Sequence, residues 1–451
     1  MSTEYVVTLS DELKVGLAHS SVNTLNQPGL YDCANFRPTK EGLEPVKVLE
    51  NPFTTDRLDW PHPMIYEGKA CDLLLAKGSI HAINKDVKWT TSKLCSVAGA
   101  GTWSVADFVS FLLLSNGTSL LMYNCTTGVV TEHDFSYIPK SNYICNFRGQ
   151  LICGGIKSSW YDADTTFAAW SRIGSINCTP AEDNVRGYAP LQVGEVYAVS
   201  PIGKVAIAYG SEGVCAMLPV SEPVVTFGLQ NLKSVGCAGL GCVGFGKHRH
   251  IMIGEDSHLW NISEKLEMED LDYFTYIRDL DTDNVVITYD RLKDDFYISD
   301  GTRGFILSPV GLSYIDKMPT SVYNLSVENS MAVYGSSGMD EAMLVTNPMD
   351  FGSRGKKTIG GVDLGINSRE AVYVAADWRN RAQDIFVRSP WKRCSPAGYA
   401  MLNVTGVELR LCIRSESFVD FKIDYAKLGI YYHEQVNRRG HVNTTVAGAN
   451  Q

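Results

Sequence analysis

One short phrase recurs seven times along this chain: an apolar run, a turn built from Gly, Ser, Asn and Asp, then a second apolar run. It is seen at Leu74–Ile80, Leu113–Met122, Leu151–Tyr161, Ala208–Val214, Ile253–Leu259, Tyr297–Thr302 and Val333–Gly338. The turn centres fall at 78, 117, 155, 212, 256, 301 and 338, so the steps are 39, 38, 57, 44, 45 and 37 residues. A strand-turn-strand unit repeating at roughly 40–50 residues predicts a β-propeller. A four-stranded blade is too small to bury its own faces, and blades set around an axis bury them together. The fold class expected is all-β: a propeller of six or seven irregular blades.

The 451 residues leave room for more than the repeats. Residues 1–60 hold no repeat and are punctuated by Asn26-Gln27-Pro28-Gly29, Arg37-Pro38, Glu44-Pro45 and Asn51-Pro52, which suggests an extended arm. The propeller is placed at 61–345. Near 346–360 the texture changes, and longer alternating runs follow, such as Ala371–Ala375, Val407–Ile413 and Phe421–Tyr425. Such runs with one polar face predict a β-sandwich at 346–451 with a polar C-terminal tail. Helical periodicity is scarce; Ser263–Tyr276 is the best candidate for one short helix.

The longest apolar runs, such as Phe111–Leu114, are far below the ~20 residues of a membrane helix. The opening MSTEYVVTLSDELK has no apolar segment of the secretory kind, so no signal peptide and no membrane segment are expected. The seven N-x-S/T sequons are then read as turn chemistry rather than glycan sites. Twelve cysteines occur with no CxxC. Cys145, Cys153, Cys215 and Cys412 sit inside apolar runs and read as buried free thiols.

No catalytic signature is legible: GxSxG, HExxH, the P-loop and the sialidase Asp-box in full form are all missing from the sequence. Asp279–Asp283 with Asp290 imitates a calcium loop, but Asn284 replaces the turn glycine and Asp290 the bidentate Glu, so a solvated turn is the better reading. His248, His250 and His258 lack further ligands at useful spacing and read as surface histidines of a blade. The expectation is a non-enzyme with no metal and no cofactor.

Charge is uneven. Residues 351–451 carry 15 Lys/Arg against 9 Asp/Glu, net +6, and residues 1–350 carry 25 against 41, net −16, which together give the net −10 of the chain. An acidic body with a basic C-terminal part suits different surroundings for the two.

Two stretches resemble a known family. Asn35-Phe36-Arg37-Pro38-Thr39-Lys40-Glu41-Gly42-Leu43, within Asn26–Leu43, resembles the N-x-R-P-T-x-x-G-L opening of bacteriophage virion proteins. Gly406–Arg414 together with Phe421–Tyr425 is similar to their closing sandwich. The family is the tail hub or nozzle proteins of short-tailed phages, also called packaged-DNA stabilisation proteins. The resemblance implies a self-assembled ring of six copies beneath the portal and the head-to-tail adaptor, with tail fibres or a needle as further neighbours. The ring would continue the channel for the genome, in the tail of the virion, after assembly in the host cytoplasm. DNA would pass without specific binding. An acidic body fits that role, because a basic lumen would grip phosphate. Arg37, Arg379, Arg381, Arg388, Lys392 and Arg393 are the candidates for a subunit interface, the last five able to dock an acidic neighbour. The competing reading is a propeller that binds or hydrolyses carbohydrate at its axis. A third is another virion component, such as a tail-fibre adaptor or a receptor-binding propeller.

Overall fold

The computed structural model describes residues 4–21, 25–46, 64–68, 71–76, 78–84, 90–99, 102–133, 136–157, 160–181, 185–220, 226–316, 321–324, 331–333, 341–366, 371–416 and 422–433. Among them the protein is all-β; the only α-helices are two single turns, Asp11–Lys14 and Phe274–Ile277. The helix expected over Ser263–Tyr276 is thus reduced to one turn, because Leu259–Ser263 and Met268–Asp270 pair as strands ahead of it. The chain divides into two compact units: Leu49–Thr302 with Met318–Gly335, and Met1–Val48 with Arg303–Lys317 and Ser336–Gln451.

The first of these units is a β-propeller. Five four-stranded antiparallel sheets follow one another at 64–96, 104–132, 141–190, 196–233 and 243–270. Two hairpins complete the series, Val286–Asp290 with Asp295–Ser299 and Val322–Asn324 with Met331–Val333. Leading strands of consecutive blades run side by side: Ser104–Phe108 beside Ser141–Phe147, that beside Val196–Ile202, Val243–Phe245 beside Val286–Asp290, and that beside Val322–Asn324. Val322–Asn324 then lies beside Met64–Glu67 of the first blade, so the last hairpin of the series meets its first blade. Between the first two blades the seal is an apolar cluster of Leu73, Leu75, Ile80, Trp103, Leu112 and Leu114. Between the fourth and fifth it is the buried pair Tyr209 and His250, whose Oη and Nδ1 lie 2.7 Å apart.

The repeat is legible because each blade's second strand is buried on both faces by its neighbours. Gln150–Ile156 and Val205–Gly210 are buried at every position, so they read as unbroken apolar runs rather than alternation. The recurring turn joins this strand to the third. In the second blade Asn116 Oδ1 accepts from the amides of Thr118 (3.0 Å) and Ser119 (2.8 Å), and Gly117 supplies the positive φ of 75°. In the third blade Trp160 makes only an isolated bridge to Ala163, and the return strand is Phe167–Trp170. The seventh copy of the phrase lies mostly outside the described residues.

All twelve cysteines are free thiols, and Cys145, Cys153, Cys215 and Cys412 are buried as the sequence suggests. Burial raises two other thiols: Cys237 is pushed up to about 12 and Cys394 to about 11. At pH 8 a half-buried thiol such as Cys394 is expected to react with iodoacetamide about a hundredfold more slowly than a free cysteine, because so little thiolate is present. Peptide mapping of the labelled protein before and after denaturation checks this.

The second unit is a sandwich of two mainly antiparallel sheets. One contains Phe36–Thr39, Gly42–Pro45, Ile423–Tyr432, Lys357–Ile366 and Tyr399–Gly406, with Glu4–Leu9 paired to Ile423–Tyr432 as well. The other runs Gly304–Leu307, Leu312–Tyr314, Leu30–Ala34, Ala342–Thr346, Glu408–Ser415, Val372–Arg379, and short strands at Val387–Arg388 and Lys392–Arg393. Leu409, Leu411 and Ile413 from the second sheet and Ile359, Val362, Leu428 and Ile430 from the first are buried. Where the sequence suggests an extended arm over 1–60, residues 4–46 supply four strands to these sheets.

Lys357 is wholly buried and donates from Nζ to the carbonyls of Asp350 (2.8 Å), Ser353 (2.7 Å) and Val407 (2.5 Å). Three acceptors saturate an ammonium. Burial nevertheless pulls its pKa down to about 8. Lys357→Met strands three carbonyls and is expected to destabilise this unit by about 2–4 kcal/mol in denaturant unfolding.

Candidate functional site

The stretches that carry the family resemblance meet in the sandwich, about 380 residues apart along the chain. Asn35 adopts a positive φ of 60° and is fully buried. Its Nδ2 donates to Asp316 Oδ2 (2.6 Å) and the Glu341 carbonyl (2.7 Å), and its Oδ1 accepts from the Asp316 amide (3.0 Å). Asn tolerates that backbone better than other L residues with a Cβ, and here its amide is also satisfied. Phe36 and Leu43 are buried anchors. Between them Thr39 Oγ1 donates to the Gly42 carbonyl (2.8 Å) and accepts from the Gly42 amide (3.1 Å), closing the hairpin. Leu43 then pairs with Ile423, and Glu41 forms an ion pair with Lys422.

The second sheet presents a layered face of arginines and aromatic rings. Along Glu408–Ser415 the residues alternate: Leu409, Leu411 and Ile413 point into the core, and Glu408, Arg410, Cys412 and Arg414 lie on the other side. Register sets Arg379 opposite Glu408, Asp377 opposite Arg410 and Tyr373 opposite Arg414. The Arg410 guanidinium is 3.8 Å from the ring centroids of both Tyr31 and Phe386. Arg379 sits 4.4 Å from the Phe386 centroid, while Nε (2.7 Å) and Nη2 (2.5 Å) donate to Glu408 Oε2. Arg388 binds Asp377 in fork geometry, Nε to Oδ1 at 2.7 Å and Nη2 to Oδ2 at 3.0 Å, and that carboxylate holds its pKa high. Arg414 lies 4.9 Å from the Trp391 centroid and 5.1 Å from that of Tyr373. Desolvation lowers the pKa of Arg410, yet a guanidinium keeps its charge, so the stacks are cation–π contacts.

The six basic residues singled out from sequence therefore divide. Arg379 and Arg388 are committed to Glu408 and Asp377 within the sheet. Arg37 is in the other sheet, 3.8 Å from Glu44 and mostly covered. Arg381, Lys392 and Arg393 are exposed, with no ion pair among the described residues. In the same stretch of sequence Ile385 is 88% exposed and Val387 is exposed. Exposed basic and apolar side chains within one stretch suit a partner surface that offers acidic and apolar groups. Arg410, Arg414, Tyr31, Phe386 and Trp391 are additional to the sequence reading. The signal for the two arginines is the alternation of 408–414, where Glu408, Arg410 and Arg414 are charged and Leu409, Leu411 and Ile413 are apolar, with the buried Cys412 interrupting the charged face.

The remaining sequence candidates sit apart. Of the three histidines read as surface residues, His250 is fully buried between blades, because the side chain in a doubly covered second strand has no route to solvent. His248 pairs with Glu264 (2.8 Å) and His258 with Asp270 (2.7 Å), in separate places on the blade. Asp281 accepts from the Asn284 side chain at 2.8 Å and from the Asp283 amide at 3.3 Å, the geometry of an Asx turn. Among the described residues no group of three or more His, Cys, Asp or Glu side chains is arranged to hold a metal ion.

No family model and no curated protein matches the chain. Solved structures do. BamB from Moraxella catarrhalis is similar at 9% identity and TM-score 0.37, over 69% of this chain and 90% of that one. A virginiamycin B lyase from Staphylococcus aureus is similar at 8% identity and TM-score 0.41, over 64% and 95%. PorZ, a surface component of the type-IX secretion system of Porphyromonas gingivalis, is similar at 10% identity and TM-score 0.37, over 66% of this chain and 36% of that one. This chain thus spans about a third of PorZ. At such identities the likeness concerns the propeller fold alone.

Proposed function

We propose that the chain is a structural subunit of a short-tailed phage particle, a tail hub or nozzle protein that assembles with itself into a ring and extends the genome channel below the portal and adaptor. The observation that carries this reading is the meeting of the two family-like stretches: Asn35–Leu43 and Ile423–Tyr425 build one hairpin-and-strand junction through Leu43, Ile423, Glu41 and Lys422. Residues that resemble a family at both ends of a sequence form a single structural element. The separation of charge, net −16 over residues 1–350 and net +6 beyond, supports the same reading, since an acidic wall repels phosphate and a basic patch docks an acidic neighbour.

Quantitative mass spectrometry of DNA-filled particles from lysed host cells tests the proposal. The expected result is a few copies per capsid, far below the major capsid protein. Absence from particles defeats the reading. A finer test reverses Arg381, Lys392 and Arg393 to Glu together. All three are exposed, so unfolding temperature is expected to stay within about 2 °C of the parent, while incorporation into particles falls at least tenfold. Normal incorporation of the triple variant removes these residues from the interface.

A further inference from the structure

A cleft of about 830 Å³ opens on the propeller where the first three blades adjoin. Its walls are mostly apolar and include Phe108 and Phe111, a stacked pair with centroids 5.0 Å apart and planes 17° from parallel. Among the described residues that line it, Asp107 is the only acidic one, and none of them is Lys or Arg. Asp107 is held at two atoms, one carboxylate oxygen and its backbone carbonyl. Tyr66 of the first blade donates its hydroxyl to Asp107 Oδ2 at 2.6 Å, and the Asn146 side-chain amide of the third blade donates to the Asp107 carbonyl. Oδ1 accepts no hydrogen bond from the described residues. Burial, with the Asp107 carboxylate beside it, raises the Tyr66 phenol far above its ordinary value, so Tyr66 remains a donor.

A carboxylate with one oxygen tied to Tyr66 and the other open, in a mostly apolar cleft beside aromatic rings and with no cation among its described lining residues, is suited to a positive charge on an aliphatic body. We propose that this cleft binds an alkylammonium ion, with Asp107 Oδ1 as its counter-charge and Phe108 and Phe111 packing the methylene chain. The same chemistry is offered by a free polyamine or by a lysine side chain of a partner protein. The inference is independent of the tail-hub reading.

Binding is measured by NMR titration of the intact protein with spermidine, with Nα-acetyl-lysine N-methylamide, and with glucose. Both amines are expected to saturate the cleft, and glucose is not. Tighter binding of spermidine identifies a free polyamine as the ligand; tighter binding of the lysine mimic identifies a partner's lysine. Asp107→Asn keeps an acceptor for Tyr66 and removes the charge, so amine affinity should fall about tenfold or more. Val109, fully exposed at the lip, permits a second variant with little risk to the fold. Val109→Lys delivers a tethered ammonium and should weaken spermidine by about fivefold or more through self-occupation. The proposal fails if neither amine binds, if Asp107→Asn binds as well as the parent, or if glucose binds more tightly than the amines.

Discussion

Gly42→Ala is expected to unfold the sandwich while leaving the propeller standing. Gly42 has φ +155°, and a Cβ built there lies 2.2 Å from the Ile423 carbonyl oxygen and 2.9 Å from its carbon. Both atoms belong to the backbone of a strand that is paired along Lys357–Ile366 and Glu4–Leu9, so neither can retreat without breaking those pairings. The strained backbone alone costs roughly 1–3 kcal/mol and the clash adds more, for a total of about 4 kcal/mol or above. Gly301→Ala is the control. Its φ is +85° and a Cβ there meets nothing within 4 Å, so the cost should stay near 1 kcal/mol. Limited proteolysis reads the difference: the Gly42 variant should be cleaved within the sandwich strands and release a resistant propeller core, and the Gly301 variant should not. Equal resistance of the two would mean that the junction of the family-like stretches contributes little.

The propeller is expected to lose about 4 kcal/mol of stability between pH 6.5 and pH 3 because of one side chain. Burial lowers the pKa of His250 to about 3, and Tyr209 occupies its Nδ1. The unfolded chain takes up a proton near pH 6.5, and the native ring refuses it until about pH 3. Between those values the unfolded state binds more protons, so stability falls as pH falls, by ~1.4 kcal/mol per pH unit. Above pH 6.5 the contribution is fully present. Asn at this position keeps an acceptor for Tyr209 and cannot be protonated. Denaturant unfolding of the parent and of His250→Asn at pH 7, 5 and 4 isolates the effect from that of the carboxylates. The parent should lose about 3 kcal/mol more than the variant between pH 6.5 and 4. Parallel loss in both would show that the Tyr209–His250 pair is not the acid-sensitive seal.

The propeller was legible in the sequence because its second strands are buried on both faces, and unbroken apolar runs with Gly and Asn turns survive irregular spacing. Leu113, Ile152, Ile207 and Met252 mark those strands. The role of residues 4–46 was not legible, because a strand that pairs with a partner some 380 residues away carries no local sign of that partner. Pro28, Pro38 and Pro45 read as connectors, although Pro38 and Pro45 stand in the Phe36–Thr39 and Gly42–Pro45 hairpin. At the candidate surface the free cations Arg381, Lys392 and Arg393 were found by charge. Arg379 and Arg388 were found with them but are occupied, since a carboxylate that arrives by sheet register, such as Glu408 or Asp377, cannot be seen by counting charges. His250 was misplaced for a related reason: its neighbour Tyr209 comes from the preceding blade.

The pairing of Glu4–Leu9 and Gly42–Pro45 with Ile423–Tyr432 sets a clock on synthesis. At about 5–20 residues per second the ribosome needs roughly 20–80 s to travel from the first of these strands to the last. Throughout that interval the propeller can form, but the early strands wait with open edges. A chain interrupted between residues 336 and 423 carries all the propeller strands and an unfinished sandwich, and its unpaired edges mark it for proteolysis or aggregation. Ile423–Tyr432 is therefore the strand whose arrival closes the edges that the earliest strands leave open.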